Sequence, residues 1–155
     1  MSEVKPIPDD YPRVCPYLHI DGAAEAIKFY KQVFGATERL RMDDPEGKVG
    51  HAELALGDSV VMLADEFPEM DIRGPKALGG TPVVLSIYVE DVDATVSRAI
   101  LLGARVTRPI EDKFYGDRVA QIEDPFGHAW SVQTHIEDVP SEEMARRAQE
   151  LAGGE

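Results

Sequence analysis

Apolar positions at Ala23, Ala26, Ile27, Tyr30, Val33 and Phe34 recur at the three- and four-residue spacing of one helix face, and Gly35 follows where a helix end favours glycine. The spacing predicts a helix over 22–34, with Asp21 placed to cap it. Ahead of it, Pro6, Pro8, Pro12 and Pro16 interrupt any helix, so residues 1–12 read as an extended arm entering a strand near 13–20. Behind it, three strand-like segments at about 36–43, 48–56 and 59–65 are separated by the turn signals Asp43-Asp44-Pro45-Glu46-Gly47 and Gly57-Asp58. The first unit therefore reads β-α-β-β-β.

Residues 66–80 carry Pro68, Gly74, Pro75, Gly79 and Gly80 and read as an irregular surface linker. The same order then recurs. A strand over 81–89 precedes a helix from about Asp91 to Leu102 that ends at Gly103, followed by strands at 104–111, 117–123 and 128–135, the last two joined by Asp124-Pro125-Phe126-Gly127. Ile20-Asp21 matches Val89-Glu90, and Phe34-Gly35-Ala36 matches Leu102-Gly103-Ala104, so the chain holds an internal repeat. Ser141, placed as a cap with Glu142 and Glu143 behind it, opens a final helix to about Leu151, before a Gly153-Gly154-Glu155 tail.

A chain of 155 residues suits one α+β domain over 1–155, and composition narrows its partners. Sixteen basic against 29 acidic residues give a net charge of −13, which repels phosphate backbones and anionic bilayers and argues against nucleic acid as a partner. No apolar run approaches the roughly 20 residues of a membrane helix. Cys15 stands alone, and Met1-Ser2-Glu3-Val4-Lys5 lacks the apolar core of a signal peptide, so a cytoplasmic location is expected. Neither a phosphate-binding glycine loop nor a Gly-x-Ser-x-Gly elbow is present.

The paired units, with IDGAAEAIKFYKQVFGA opening one and EDPFGHAW closing the other, resemble the glyoxalase, bleomycin-resistance and extradiol-dioxygenase superfamily of vicinal oxygen chelate proteins over residues 13–135. HAELALGDSVVMLADEFPE, LGGTPVVLSIYVEDVD, YGDR and THIEDVPSEEMARR are similar to its PhnB-like branch. The resemblance implies two four-stranded sheets curved around a pocket, outer helices and a homodimer. The demethylubiquinone-methyltransferase label of some PhnB-like proteins finds no support, since no parallel-sheet fold with a glycine-rich first turn is legible.

Metal-dependent members of that superfamily place a His or carboxylate on the first and last strand of each unit. Counting along the strands puts those positions at Cys15, Met62, Val84 and Ser131. Valine has no lone pair, and divalent ions of this chemistry need imidazole and carboxylate, so no metal cofactor is expected there. A soft ion such as Cu(I) would suit Cys15 and Met62, although both residue types more often fill cores.

Strand alternation lists the expected pocket. A two-residue Gly57-Asp58 turn sets Glu53 opposite Met62 and His51 opposite Ala64. A four-residue Asp124–Gly127 turn sets Ala120 opposite Ser131 and Arg118 opposite Gln133. Tyr17 and His19 join Cys15, and Ser86 and Tyr88 join Val84. The ligand-binding candidates are thus Cys15, Tyr17, His19, Met62, Ser86, Tyr88, Arg118, Ser131 and Gln133, with Arg118 either gripping an anion or paired to an acid. Trp130, Val119 and Val132 read as core, His128 faces the helices, His19 and His135 sit at strand ends, and Phe114, Tyr115 and Gly116 form a mouth or a cover.

Two functions compete. One is a metal-free protein enclosing a small organic molecule, for sequestration or resistance, with an acidic pocket that favours cations. The other is a lyase, isomerase or dioxygenase-type enzyme using Glu53 and His51 as catalytic acid and base, or a divalent metal displaced to that pair. A scaffold dimer with a filled pocket is the third, blander reading.

Overall fold

Helix α1 (Ala23–Phe34) forms where the spacing predicts it, with Ala23, Ala26, Ile27, Tyr30 and Val33 buried on one face. It ends because Gly35 adopts φ +71° and its N–H donates to the Lys31 carbonyl, while the Ala36 N–H donates to that of Tyr30. Its start differs from expectation. Asp21 does not cap it; Asp65 Oδ1 accepts instead from the N–H groups of Gly22 (3.1 Å) and Ala23 (2.9 Å), and Oδ2 accepts from Val49 N–H at 2.7 Å. The cap reaches the helix from a strand 42 residues away.

The computed structural model describes residues 3–153, so Met1 and Ser2 of the arm and Gly154 and Glu155 of the tail lie outside the described residues. The chain divides into two units at Gly80 and Thr81. In the first, β1 (Tyr17–Ile20), β2 (Thr37–Asp43), β3 (Val49–Leu56) and β4 (Ser59–Asp65) form a sheet of order β1-β4-β3-β2, with β1 parallel to β4 and the remaining pairs antiparallel. β1 is shorter than expected because Pro16 has no N–H to extend the ladder. Leu18, Leu63 and Ala52 lie in one register row beneath α1, each nearly or fully excluded from water. Each such leucine stabilises the unit by about 1.5–3 kcal/mol.

The predicted linker is more ordered than its composition suggests. Phe67 and Ile72 form an antiparallel bridge around a 3₁₀ turn (Pro68–Met70), and α2 (Pro75–Leu78) follows. Gly74 N–H donates to Glu66 Oε1 at 2.7 Å, and a Cβ at Gly74 would collide with the His19 carbonyl, so the segment is pressed against the end of β1.

The second unit repeats the first. β5 (Val84–Tyr88), β6 (Arg105–Asp112), β7 (Asp117–Glu123) and β8 (Ala129–His135) take the order β5-β8-β7-β6, with β5 parallel to β8, and α3 (Val92–Leu101) packs on one face. Asp91 caps α3 by accepting from Ala94 N–H. Thr134 occupies the place of Asp65: its Oγ1 accepts from Val92 N–H at 2.9 Å and donates to the Val89 carbonyl at 2.8 Å. Helix α4 (Ser141–Gly153) has no buried residue and begins with Ser141 as its first helical residue, the Pro140 carbonyl accepting from Met144 N–H. Arg147 ties it back, through Glu137 and the Phe114 carbonyl.

Candidate functional site

In the first unit the face turned away from α1 carries the predicted residues together. Tyr17 and Glu53 both stand in register with Met62, and His19 is in register with Ala64, so the two-residue turn at Gly57 and the alternation that follows from it hold. A hydrogen-bonded chain runs across this face. Tyr17 Oη lies 2.9 Å from His51 Nδ1, His51 Nε2 lies 2.9 Å from Glu53 Oε2, and Tyr11 donates its hydroxyl to Glu53 Oε1 at 2.6 Å. Placing the imidazole proton on Nε2 satisfies every partner at once.

Glu53 is 5% exposed. Burial pushes its carboxyl up, but the hydrogen bonds from Tyr11 and His51 and the charge of Arg39 outweigh this and hold it below the usual 4.5. The same contact raises the Tyr11 hydroxyl, mainly through its bond to Glu53, and burial followed by the Glu53 charge raises that of Tyr17. Tyr11 belongs to the arm and was not singled out in the sequence; the Arg39 guanidinium stacked 4.5 Å over its ring fixes it there. Beside this chain, Tyr17, His19, Gly50, Ala64, Phe67, Met70 and Ile72 line an open cavity of about 270 Å³.

In the second unit three predicted residues form another chain: Ser131 Oγ donates to Gln133 Oε1 at 3.1 Å, and Gln133 Nε2 donates to Ser86 Oγ at 2.6 Å. Tyr88 donates to Asp117 Oδ2 at 2.7 Å, while His135 spans Asp117 (2.8 Å) and Asp138 (2.7 Å). Those two carboxylates, Asp117 first, raise the His135 pKa above its usual value. Asp117, buried and central to this array, was missed because a strand-end Asp carries no distinguishing pattern.

Arg118 is a correction. The turn is one residue longer than expected, closed by Asp124 N–H donating to the His128 carbonyl at 2.9 Å with Gly127 at φ +93°. Gln121 therefore pairs with Ser131, Val119 with Gln133 and Arg118 with Thr134. A one-residue slip reverses the faces of a strand, so Arg118 and Ala120 leave the Ser131 face and Val119 joins it. Arg118 donates to both oxygens of Asp93 on α3 (2.9 and 3.0 Å) and to Asp112 (2.8 Å), which keeps it firmly protonated and occupied. Trp130 is buried on the α3 side with Val132, its indole N–H donating to Asp124 Oδ2 at 2.9 Å.

The cation that does face the Ser131 side is Arg108, in register with Gln121. A cavity of about 440 Å³ lies here, its lining including Arg108, Pro109, Glu111, Lys113, Tyr115, Val119, Gln121 and Ser131. Register shifts on either side of Arg108 place it on this face, as bulges do on edge strands. Sequence alternation through β6 fails at such bulges, although Pro109 marks the irregularity.

The four expected metal positions do not form a donor set. Val84 offers no ligand atom, Cys15 precedes β1 with its Sγ 3.4 Å from the Pro12 carbonyl, and Ser131 is engaged with Gln133. Tyr17 and Ser86, not Cys15 and Val84, are in register with Met62 and Ser131. Among the described residues no group of three or more His, Cys, Asp or Glu side chains is arranged to hold a metal ion.

Comparison with known proteins agrees with the architecture. Residues 18–132 match the family model described as Glyoxalase/Bleomycin resistance protein/Dioxygenase superfamily. An uncharacterized protein of Mycobacterium bovis is 42% identical over 136 residues, covering 86% of this chain and 90% of its own. Among solved structures, TioX from Micromonospora sp. ML1 is 26% identical with TM-score 0.61, covering 83% of this chain and 100% of its own. The PhnB protein of Bacillus cereus, 16% identical with TM-score 0.65 over 79% of this chain and 99% of its own, shares the fold.

Proposed function

The chain belongs to the glyoxalase/bleomycin resistance protein/dioxygenase superfamily, and on that footing we propose that it binds and sequesters a small organic molecule on the helix-free sheet faces, with no metal at the family's usual positions. The observation that carries this reading is the pairing of a non-ligating set at Cys15, Met62, Val84 and Ser131 with cavities that combine aromatic, apolar and hydrogen-bonding side chains. A homodimer and a cytoplasmic setting complete the proposal; the lone free Cys15 supports the latter, and no helix of the described residues is long and apolar enough to cross a membrane. A thermal-shift screen of small organic compounds with and without a chelator tests binding, since a ligand at 100 times its Kd stabilises by about 2.7 kcal/mol. Stabilisation by a compound regardless of chelator is expected, whereas stabilisation only with added metal overturns the metal-free reading. Sedimentation equilibrium tests the dimer.

The chain Tyr17, His51, Glu53 favours a second reading, acid–base catalysis. A buried carboxylate holding an imidazole whose other nitrogen meets a cavity-lining hydroxyl is an arrangement able to relay a proton. Against it, both Glu53 oxygens are already engaged. Glu53→Gln separates the two: catalysis predicts lost turnover with retained affinity for a compound found in the screen, and sequestration predicts no turnover in either protein.

A further inference from the structure

Arg108 is an exposed cation that stands apart from the other arginines of the second unit. Arg105, Arg118, Arg146 and Arg147 of the same unit are each paired with a carboxylate, as expected where acids outnumber bases. Arg108 makes no hydrogen bond or ion pair among the described residues, and neither does the side-chain amide of its register partner Gln121. Both line the 440 Å³ cavity. The other charges there nearly cancel, because Lys113 donates to Glu111 at 2.8 Å. Two cations and one carboxylate leave the lining with one positive charge, in a chain whose net charge is −13.

We infer that this cavity is an oxyanion subsite, in which Arg108 and Gln121 hold the carboxylate or phosphonate group of a small organic anion whose apolar body lies against Val119. The inference rests on the small-molecule reading above and names its ligand class. A guanidinium presents two parallel N–H donors matched to two oxygens of such a group, and the Gln121 amide adds a donor from the adjacent strand. Ser131, next in the row, donates its proton to Gln133 and has lone pairs left for a ligand hydroxyl. The acidic remainder of the surface repels anions in general, so selectivity comes from this local excess of donors. The expected preference for cations is thereby reversed in this unit.

Titration of the full chain with benzoate, phenylphosphonate, benzyl alcohol and benzylamine, followed by backbone and arginine Nε resonances, tests the inference. Benzoate or phenylphosphonate is expected to shift the Arg108 Nε and Gln121 resonances and to bind at least tenfold more tightly than the alcohol or the amine, and the stronger of the two identifies the oxyanion. Arg108→Gln is expected to weaken that binding at least tenfold, while Arg146→Gln, which removes the same charge from α4, leaves it unchanged. Unchanged affinity in a folded Arg108→Gln protein, or equal binding of benzyl alcohol, overturns the oxyanion assignment while leaving the small-molecule reading standing. No shift at Arg108 from any of the four probes at about 10 mM, a level that detects even millimolar dissociation constants, also overturns the assignment.

Discussion

Gln121 stands directly across from Ser131 in the β7–β8 ladder, and this pairing decides which side chains of β7 reach the cavity. It follows from a five-residue turn. Asp124 Oδ1 accepts from Phe126 N–H (2.9 Å) and His128 N–H (3.0 Å), as Asp44 Oδ1 accepts from Glu46 and Lys48 N–H in the corresponding Asp44-Pro45-Glu46-Gly47-Lys48 turn. In each, a glycine at positive φ accommodates the extra residue.

Because that register turns Arg118 toward α3, Arg118→Gln is expected to lower the melting temperature by loosening α3 from β7, and to leave benzoate affinity within about twofold of the parent, as for sites without shared partners. Raising the salt concentration is expected to narrow the melting-temperature difference, because the pair is exposed. A loss of benzoate binding comparable to that of Arg108→Gln would restore Arg118 to the site.

Asp65 satisfies three backbone donors from two elements. Asp65→Ala is expected to destabilise the protein by about 2–4 kcal/mol, combining a lost helix cap with the unpaired N–H of buried Val49. Thr134→Val, which removes the matching cap in the second unit, is expected to cost about 1 kcal/mol. Urea denaturation of both variants measures the ordering.

Stability is expected to fall on both sides of a plateau. Glu53 titrates lower in the folded chain than the usual 4.5, so its contribution is present above that value and is lost as pH falls through the folded pKa. His135 titrates above the usual 6.5 beside Asp117 and Asp138, so its contribution is complete below 6.5 and is lost as pH rises through the folded value. Urea midpoints against pH should show Glu53→Gln flattening the acid limb and His135→Gln the alkaline one.

Gly116 adopts φ +100°, its carbonyl accepts from the N–H groups of Ile136 and Glu137, and a Cβ would overlap the Glu137 carbonyl oxygen. Gly116→Ala is therefore expected to destabilise by about 2 kcal/mol or more. Glu137 also anchors Arg147, so amide exchange in α4 should accelerate in this variant.

The repeat, the order of its elements and the α1 face were legible because the hydrophobic pattern and the glycine at Gly35 act locally, through side-chain spacing and backbone sterics. So were Tyr17, His51, Glu53 and Met62, since alternation and a two-residue turn are sufficient to place them. Other features depended on partners far along the chain. Asp65 caps a helix from across the sheet, Tyr11 reaches Glu53 from the arm, and one added turn residue exchanged Arg118 for Arg108 by way of register and bulges. Sequence thus determined which segments of the two repeats become strand or helix, whereas tertiary structure decided which polar groups meet, because a hydrogen bond or ion pair depends on ångström-scale positions that strand pairing sets.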